Sequence, residues 1–189
     1  MQKHSGAEVV VAEGCGAPDM STGELFEIHG YTQMAVRRAV ALIDLNTAPC
    51  EKLTNPECKV FPEFYLPAIA SSHYIISVPV LKAHSLADIT GSMKNMMGFA
   101  PPEHYQEGGY WRKAAFHQCM HPSITELNRY RSPDLTVMDA TVGMAEHHLG
   151  GATCKPPVNR ILAGLDAREV DRFAAELLGL DWRRIGHLR

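Results

Sequence analysis

The chain has 189 residues, 46% of them hydrophobic and 21% charged, a composition typical of a globular protein that can bury a sizeable core. Its formal net charge of −3 argues against a protein that binds nucleic acid through its overall charge. No apolar run approaches the roughly 18 residues that a membrane-spanning helix needs, and the first residues lack the apolar core of a secretion signal. We therefore expect a cytoplasmic protein that binds neither nucleic acid nor membrane.

The first half of the chain is predicted to begin with a buried strand at residues 8–12, which runs into the turn Gly14-Cys15-Gly16. This turn lacks both the full dinucleotide fingerprint and the lysine of a phosphate loop, so it is a weak nucleotide motif. Cys15 is either a reactive thiol or a small packed residue. The pattern beyond it predicts, in order, a helix at 32–40, a strand at 42–45, a loop at 46–58, a short strand at 60–61 and a helical turn at 67–71.

The centre of the chain combines a short apolar strand at residues 74–78 with a polar segment at 79–98. Beyond Leu86 the pattern becomes helical, with Thr90 placed to cap the helix and Gly98 placed to end it. Three methionines would share the buried face of this helix, namely Met93, Met96 and Met97.

The second half predicts a lid or disordered loop at residues 101–109, then helices alternating with strands. The predicted elements are a helix at 122–130, a strand at 135–138, a loop at 140–157, a strand at 160–165, and a last helix that buries Val170, Phe173, Ala174, Leu177 and Leu178 and stops at Gly179. This alternation predicts a single α/β domain with a mainly parallel sheet flanked by helices.

The segment VPVLKAHSLADITGSMKNMMG at residues 78–98 closely resembles the signature of domain-of-unknown-function family 362, whose members are often labelled iron–sulfur centre proteins. Residues 133–139 and 161–171 extend the resemblance over most of the chain. Relatives usually have a further strand and helix before the first strand predicted here, so the chain looks like a short member or a fragment. The resemblance implies no settled reaction.

Many relatives also carry a ferredoxin-like segment with closely spaced cysteines. The five cysteines of this chain are scattered and form no C-x-x-C pair, which indicates free thiols. We therefore expect no iron–sulfur cluster in this chain.

Ligands of open α/β sheets bind beyond the carboxyl ends of parallel strands. If the predicted strands are parallel, Glu13, Lys82, His84, Asp139 and Asp166 reach the same edge of the sheet. The backbone amides that open the next helix favour an anion. Polar residues beside them add hydrogen-bond donors and a cation; these are Thr90, Gly91, Lys94 and Asn95. The alternative is that Thr90 only caps a helix and the lysines are solvated.

Three aspartates, Asp139, Asp166 and Asp171, resemble acidic positions of the family and are candidates for a divalent metal site or for proton transfer. Asp166 is also explained as a helix cap, because Asp166 to Glu169 reads as a capping box. His117 resembles a histidine common in the family and is a candidate to contact an anion or transfer a proton at the sheet edge, although an ordinary packed histidine fits as well.

A zinc site is a further alternative. It would use His117, Cys119 and His121, with a fourth ligand from His147, His148 or Cys154. These residues follow no recognised zinc-binding spacing.

The leading hypothesis is an enzyme that acts on a small phosphate or carboxylate, with or without a divalent metal. Its expected catalytic groups are His84, Asp139 and Asp171. Its expected substrate-binding groups are Lys82, Thr90, Gly91, Lys94, Asn95 and His117. The alternative is a non-catalytic accessory or ligand-binding domain associated with redox iron–sulfur proteins.

Overall fold

A computed structural model describes residues 6–189. The first strand, β1 (Val10–Glu13), pairs in parallel with β2 (Ala41–Asp44). Two helices connect these strands, α1 (Thr22–Ile28) and α2 (Tyr31–Arg38). The strands predicted at 8–12 and 42–45 are therefore present as β1 and β2, and the helix predicted at 32–40 is present as α2, each within a few residues of its expected bounds.

Helix α1 was not predicted, although its start carries a recognisable signal. The Ser21 hydroxyl accepts a hydrogen bond from the backbone N–H of Glu24, and the Glu24 carboxylate accepts one from the backbone N–H of Ser21. This reciprocal capping box satisfies donors that the first turn of a helix leaves free.

A second pair of strands lies where the sequence predicted a loop and a two-residue strand. Strands β3 (Cys50–Thr54) and β4 (Glu63–Pro67) form an antiparallel hairpin, so the prediction of a loop at 46–58 and a strand at 60–61 was wrong. Phe64 and Leu66 alternate with more exposed residues and are buried in β4. The short helix α3 (Ile69–Ser72) follows close to the predicted helical turn.

The largest sheet is built around one long strand, β8. It comprises β5 (Ile76–Ser77), β6 (Val80–His84), β7 (Asp88–Thr90), β8 (Leu135–Met144) and β9 (Arg160–Gly164). Strands β5 and β6 pair in parallel with one side of β8, whereas β9 pairs antiparallel with the other side and β7 pairs antiparallel with β6. The prediction of a mainly parallel sheet was therefore wrong. The sheets are small and mixed, because the chain reverses direction before β7 and before β9, so that β7 pairs antiparallel with β6 and β9 pairs antiparallel with β8.

One face of this sheet packs into the core, where Leu81, Met138 and Leu162 are buried. Four helices follow the sheet strands in this part of the chain, α4 (Ser92–Asn95), α5 (Pro102–Tyr105), α6 (Met120–Tyr130) and α7 (Ala167–Leu177). Helix α7 contacts β8 and β9, and α4 contacts β7. Short 3-10 turns cover Met96–Phe99, Ala114–Cys119, Trp182–Arg184 and Gly186–Leu188.

The structure differs from several of the local predictions. Thr90 ends strand β7 and does not cap a helix, since α4 begins at Ser92 and its N-cap residue is Gly91, which makes no side-chain cap. The expected lid at 101–109 contains α5, which buries Tyr105. Phe173 is 49% exposed on α7, so its predicted burial was wrong. The predicted methionine stripe of α4 and the turn after it was confirmed, as all three methionines are buried.

Within residues 6–189, every helix is too short or too polar to cross a bilayer.

Candidate functional site

The site begins on strand β6, where Lys82 and His84 alternate with the buried residues Leu81 and Ala83. Because side chains of a strand point to opposite faces in turn, Lys82 and His84 lie on the face opposite the core. Lys82 pairs with Thr90 across the β6–β7 hairpin, so the Thr90 side chain lies on that face too.

His84 is held in one tautomer by the turn that follows it. Its Nδ1 atom accepts hydrogen bonds from the backbone N–H groups of Leu86 at 3.0 Å and Ala87 at 3.2 Å. The neutral ring therefore carries its proton on Nε2. Burial, followed by the charge of Lys94, lowers the pKa of His84 to about 3. His84 is thus a hydrogen-bond donor rather than a cation at neutral pH.

His148 packs directly on His84, with ring centroids 3.8 Å apart and planes 4° from parallel. His148 belongs to the loop after β8, so this stack joins the ends of two neighbouring strands. Two buried atoms in this region, His148 Nδ1 and Thr90 Oγ1, have no hydrogen-bond partner among residues 6–189. A buried polar atom without a partner is costly and marks a place where a ligand or water can bind.

We define the basic cluster as Lys82, His84, Lys94, His117 and His148. Burial, and then Lys82, lowers the pKa of Lys94 to about 8. Burial, and then Lys94, lowers the pKa values of His117 and His148. Every charged group that shifts the pKa of His84, Lys94, His117 or His148 is itself basic. The cluster therefore brings two lysines together with three histidines, side chains that can all donate hydrogen bonds.

The amides that open α4 already have a partner in the chain itself. The Asp171 carboxylate accepts hydrogen bonds from the N–H groups of Ser92 at 2.6 Å and Met93 at 2.9 Å. Asp171 is fully buried, and burial raises its pKa to about 7 while the two amide bonds act in the opposite direction. A Cβ atom on Gly91 would lie 2.3 Å from the Asp171 Cγ atom, so only glycine fits beside this carboxylate.

The other predicted site residues lie apart from one another. Asn95 donates a hydrogen bond to Ser77 Oγ at 3.1 Å. Asp139 is exposed in the middle of β8, where its Oδ1 atom accepts from Thr141 N and Oγ1, and these bonds lower its pKa. Asp166 caps α7 through the N–H groups of Arg168 and Glu169, which confirms its structural interpretation.

Strand direction separates Asp166 from the edge that Lys82 and His84 reach. Because β9 runs antiparallel to β8, its end at Gly164 lies beside Thr136, near the start of β8. The prediction that all four strand ends meet at one edge of the sheet required β9 to run parallel to β8. Because β9 runs antiparallel to β8, Asp166 does not reach that edge.

Across residues 6–189, no three or more His, Cys, Asp or Glu side chains are grouped so that they could hold a metal ion. Of the zinc candidates, Cys119 is exposed, and the Nδ1 atom of His121 lies 2.9 Å from that of His187. The five cysteines all lie in the described part of the chain and carry free thiols.

Lys113 is a buried polar residue that the sequence analysis did not identify. Lys113 is 4% exposed, and its ammonium donates hydrogen bonds to Asn46 Oδ1 and to the carbonyl oxygens of Gly98 and Ala100. Burial lowers its pKa to about 7, and the charge of Glu13 partly opposes this shift. No local pattern around Lys113 signals this role, since all three acceptors come from distant parts of the chain.

The turn Gly14-Cys15-Gly16 packs against Gly98, whose carbonyl oxygen also accepts from Lys113. A Cβ atom on Gly14 would lie 2.0 Å from the carbonyl oxygen of Gly98, so the two backbones meet closely there. The Cys15 side chain is buried. These contacts favour the packing interpretation of the turn.

Two surface cavities lie on the α6 side of the molecule. One, of about 290 Å³, is lined by His121, Pro122, Thr125, Glu126, Arg129 and Gly186. The other, of about 240 Å³, includes Asn128, Asp166 and Arg168 in its wall. Neither cavity includes a residue of the basic cluster, whose chemistry is the more distinctive.

Comparison of the chain with curated proteins and with solved structures found no match. The family model described as domain of unknown function (DUF362) matches residues 1–176. This match spans the β6–α4 signature, the whole basic cluster and the Asp171 contact, and it confirms the resemblance that the signature indicated. The chain belongs to the DUF362 family.

Proposed function

We propose that this protein binds a small anion that carries a phosphate or carboxylate group at the basic cluster. The observation that carries the proposal is the convergence of two lysines and three histidines without a carboxylate among the charges that act on them. Like charges held together in a partly buried site disfavour their own ionisation, and a bound anion would remove that penalty.

Each member has a distinct part in this proposal. Lys82 and Lys94 provide the charge. His84 provides an Nε2–H donor, because its Nδ1 lone pair already accepts two backbone bonds. The unpartnered Thr90 Oγ1 and His148 Nδ1 atoms supply two more hydrogen-bonding positions at the same place. The amides of α4 are not part of the binding site proposed, because Asp171 occupies them.

Catalysis on the bound anion stays a prediction, as does the alternative of an accessory or purely ligand-binding domain. His117 and His148 are the cluster histidines assigned to proton transfer, because the Nδ1 atom of His84 already accepts two backbone hydrogen bonds. Asp171 and Asp139 each have hydrogen bonds that occupy carboxylate oxygens, which favours a supporting role.

The proposal is tested by calorimetric titration of the protein with phosphate, sulfate and malonate. Lys94→Met and Lys82→Met keep much of the apolar stem but remove the charge, and each should weaken binding about tenfold or more, or ~1.4 kcal/mol. Lys59→Met is the matched control, because Lys59 is exposed and its ammonium donates to the carbonyl oxygen of Pro56 at the surface.

Binding that is equal in the parent and in both cluster variants would refute the site. An absence of binding to all three anions in the parent would refute the function. Turnover of a bound phosphate ester would separate an enzyme from a binding module.

A further inference from the structure

The face of the main sheet opposite the core is apolar and open to solvent. We call it the open face. Its most exposed members are Tyr74 (62%), Val78 (66%), Val80 (52%), Ile161 (60%) and Leu165 (75%), which lie on or directly beside β5, β6 and β9. A soluble chain rarely leaves so many large apolar residues together on one surface.

The strand register shows that these residues form one continuous surface. Val80 pairs with Asp139, which pairs with Ile161, so these three side chains form a row across β6, β8 and β9. Val137 pairs with Ala163 in the next row, and Ile76 pairs with Leu135 beyond it. Paired residues of a sheet point to the same side, so the rows lie next to one another on the open face.

The alternation of burial separates this face from the core face. Thr136, Met138 and Ala140 of β8 are buried, whereas Asp139 and Thr141 between and after them are exposed. Purely parallel sheets are normally covered on both faces, and β5 and β6 pair with β8 in the parallel sense that those sheets use. The open face therefore lacks the second layer that such a sheet usually has.

We propose that a second copy of this chain covers the open face, so that the protein is a two-fold symmetric dimer with the two sheets packed face to face. Each of the five most exposed members leaves more than half of its surface accessible, so together with the partly buried residues between them they offer an area of the order that a standard stable interface buries. Each partner of such an interface buries ~800 Å².

The side chains of the open face suit contact with the open face of a second copy. Among the paired positions of the three rows, Asp139 carries the one charge, and its Oδ1 atom already accepts two bonds from Thr141. An apolar surface with few charges can pack on the same surface of a second copy without burying like charges against each other, as a two-fold interface requires. Two such sheets pack about 10 Å apart through interdigitating side chains.

The interface also borders on the basic cluster, because Lys82 and His84 continue the alternation of Val78 and Val80 along the same face. The second copy would therefore form a wall beside the proposed anion site. The dimer itself does not depend on the anion, since it rests on the apolar residues alone.

Sedimentation velocity of the full chain from about 1 to 100 µM tests the proposal without any ligand. The parent should sediment as a dimer. Val80→Asp and, separately, Leu165→Asp should shift it to monomer, with at least tenfold weaker association, while circular dichroism shows that both variants remain folded. Leu165 lies just outside β9, so its substitution spares the strand pairing.

The matched control is Val36→Asp, because Val36 is 80% exposed on helix α2, away from the open face, and this variant should remain a dimer. A parent that is monomeric at the highest concentration would overturn the proposal. So would a dimer that survives both Val80→Asp and Leu165→Asp, or one that Val36→Asp disrupts equally.

Discussion

Asp171 offers the sharpest test of how the signature segment is held in place. Its buried carboxylate accepts the N–H groups of Ser92 and Met93, and these are the first amides of α4. Asp171→Ala would leave both donors buried without acceptors. A buried donor without a partner costs ~1–3 kcal/mol, so we expect the free energy of unfolding to fall by about 2–5 kcal/mol.

Two asparagine variants provide a matched comparison. Asp171→Asn keeps one acceptor oxygen but turns an NH₂ group toward the second N–H, so we expect a loss of ~1–3 kcal/mol. Asp166→Asn also removes a carboxylate that accepts two backbone bonds, but at an exposed helix start. Asparagine caps helices about as well as aspartate, so this change should cost less than ~0.5 kcal/mol.

Urea denaturation at pH 7, monitored by circular dichroism and with equal m-values, measures these differences. Equal stability of Asp171→Asn and Asp166→Asn would refute the reasoning. Gly91→Ala adds an independent check, because its Cβ would lie 2.3 Å from the Asp171 Cγ atom. Gly91→Ala should destabilise the parent more than it destabilises the Asp171→Ala variant, and additive effects would show that the two residues do not interact.

Three further predictions concern buried bases and close backbone contacts. Burial lowers the pKa values of His84 and His187 to about 3, whereas unfolded histidines bind protons below about pH 6.5. The free energy of unfolding, measured by urea denaturation, should therefore fall as the pH is lowered from 6.5 to 3, by up to ~1.4 kcal/mol per histidine and pH unit. A free energy of unfolding that does not change over this pH range would contradict the burial of the two histidines. Anion affinity should fall above about pH 8, where Lys94 loses its proton, and calorimetry of Lys94→Met should show no such fall. Gly14→Ala should cost ~1–3 kcal/mol because its Cβ meets a backbone carbonyl, whereas Gly16→Ala, with open space around it, should be nearly neutral in the same denaturation assay.

Features that depend on neighbours within a few residues could be read from the sequence. Asp166 caps α7 because the amides that it accepts are two and three residues away. The period of the apolar residues located α7 and placed Val170 and Ala174 in the core. The S-T-G-E start of α1 carried the same kind of local signal and could have been found.

The signature segment also contains three of the residues that form the basic cluster. Lys82, His84 and Lys94 are placed near one another by strand alternation and by the short path from β6 to α4. His148 joins them only because the loop after β8 folds back over the end of β6. That contact spans 64 residues of chain and has no local pattern to predict it.

What the sequence determined by itself was therefore the family, most helices and strands, the helix cap at Asp166 and the position of the basic segment. The tertiary structure alone decided that β9 runs antiparallel, that Asp171 rather than a ligand holds the first amides of α4, and that one sheet face stays open. Local propensities act through contacts a few residues apart. Strand order and the partners of buried polar groups are chosen by packing between distant segments, where many pairings satisfy the same local pattern.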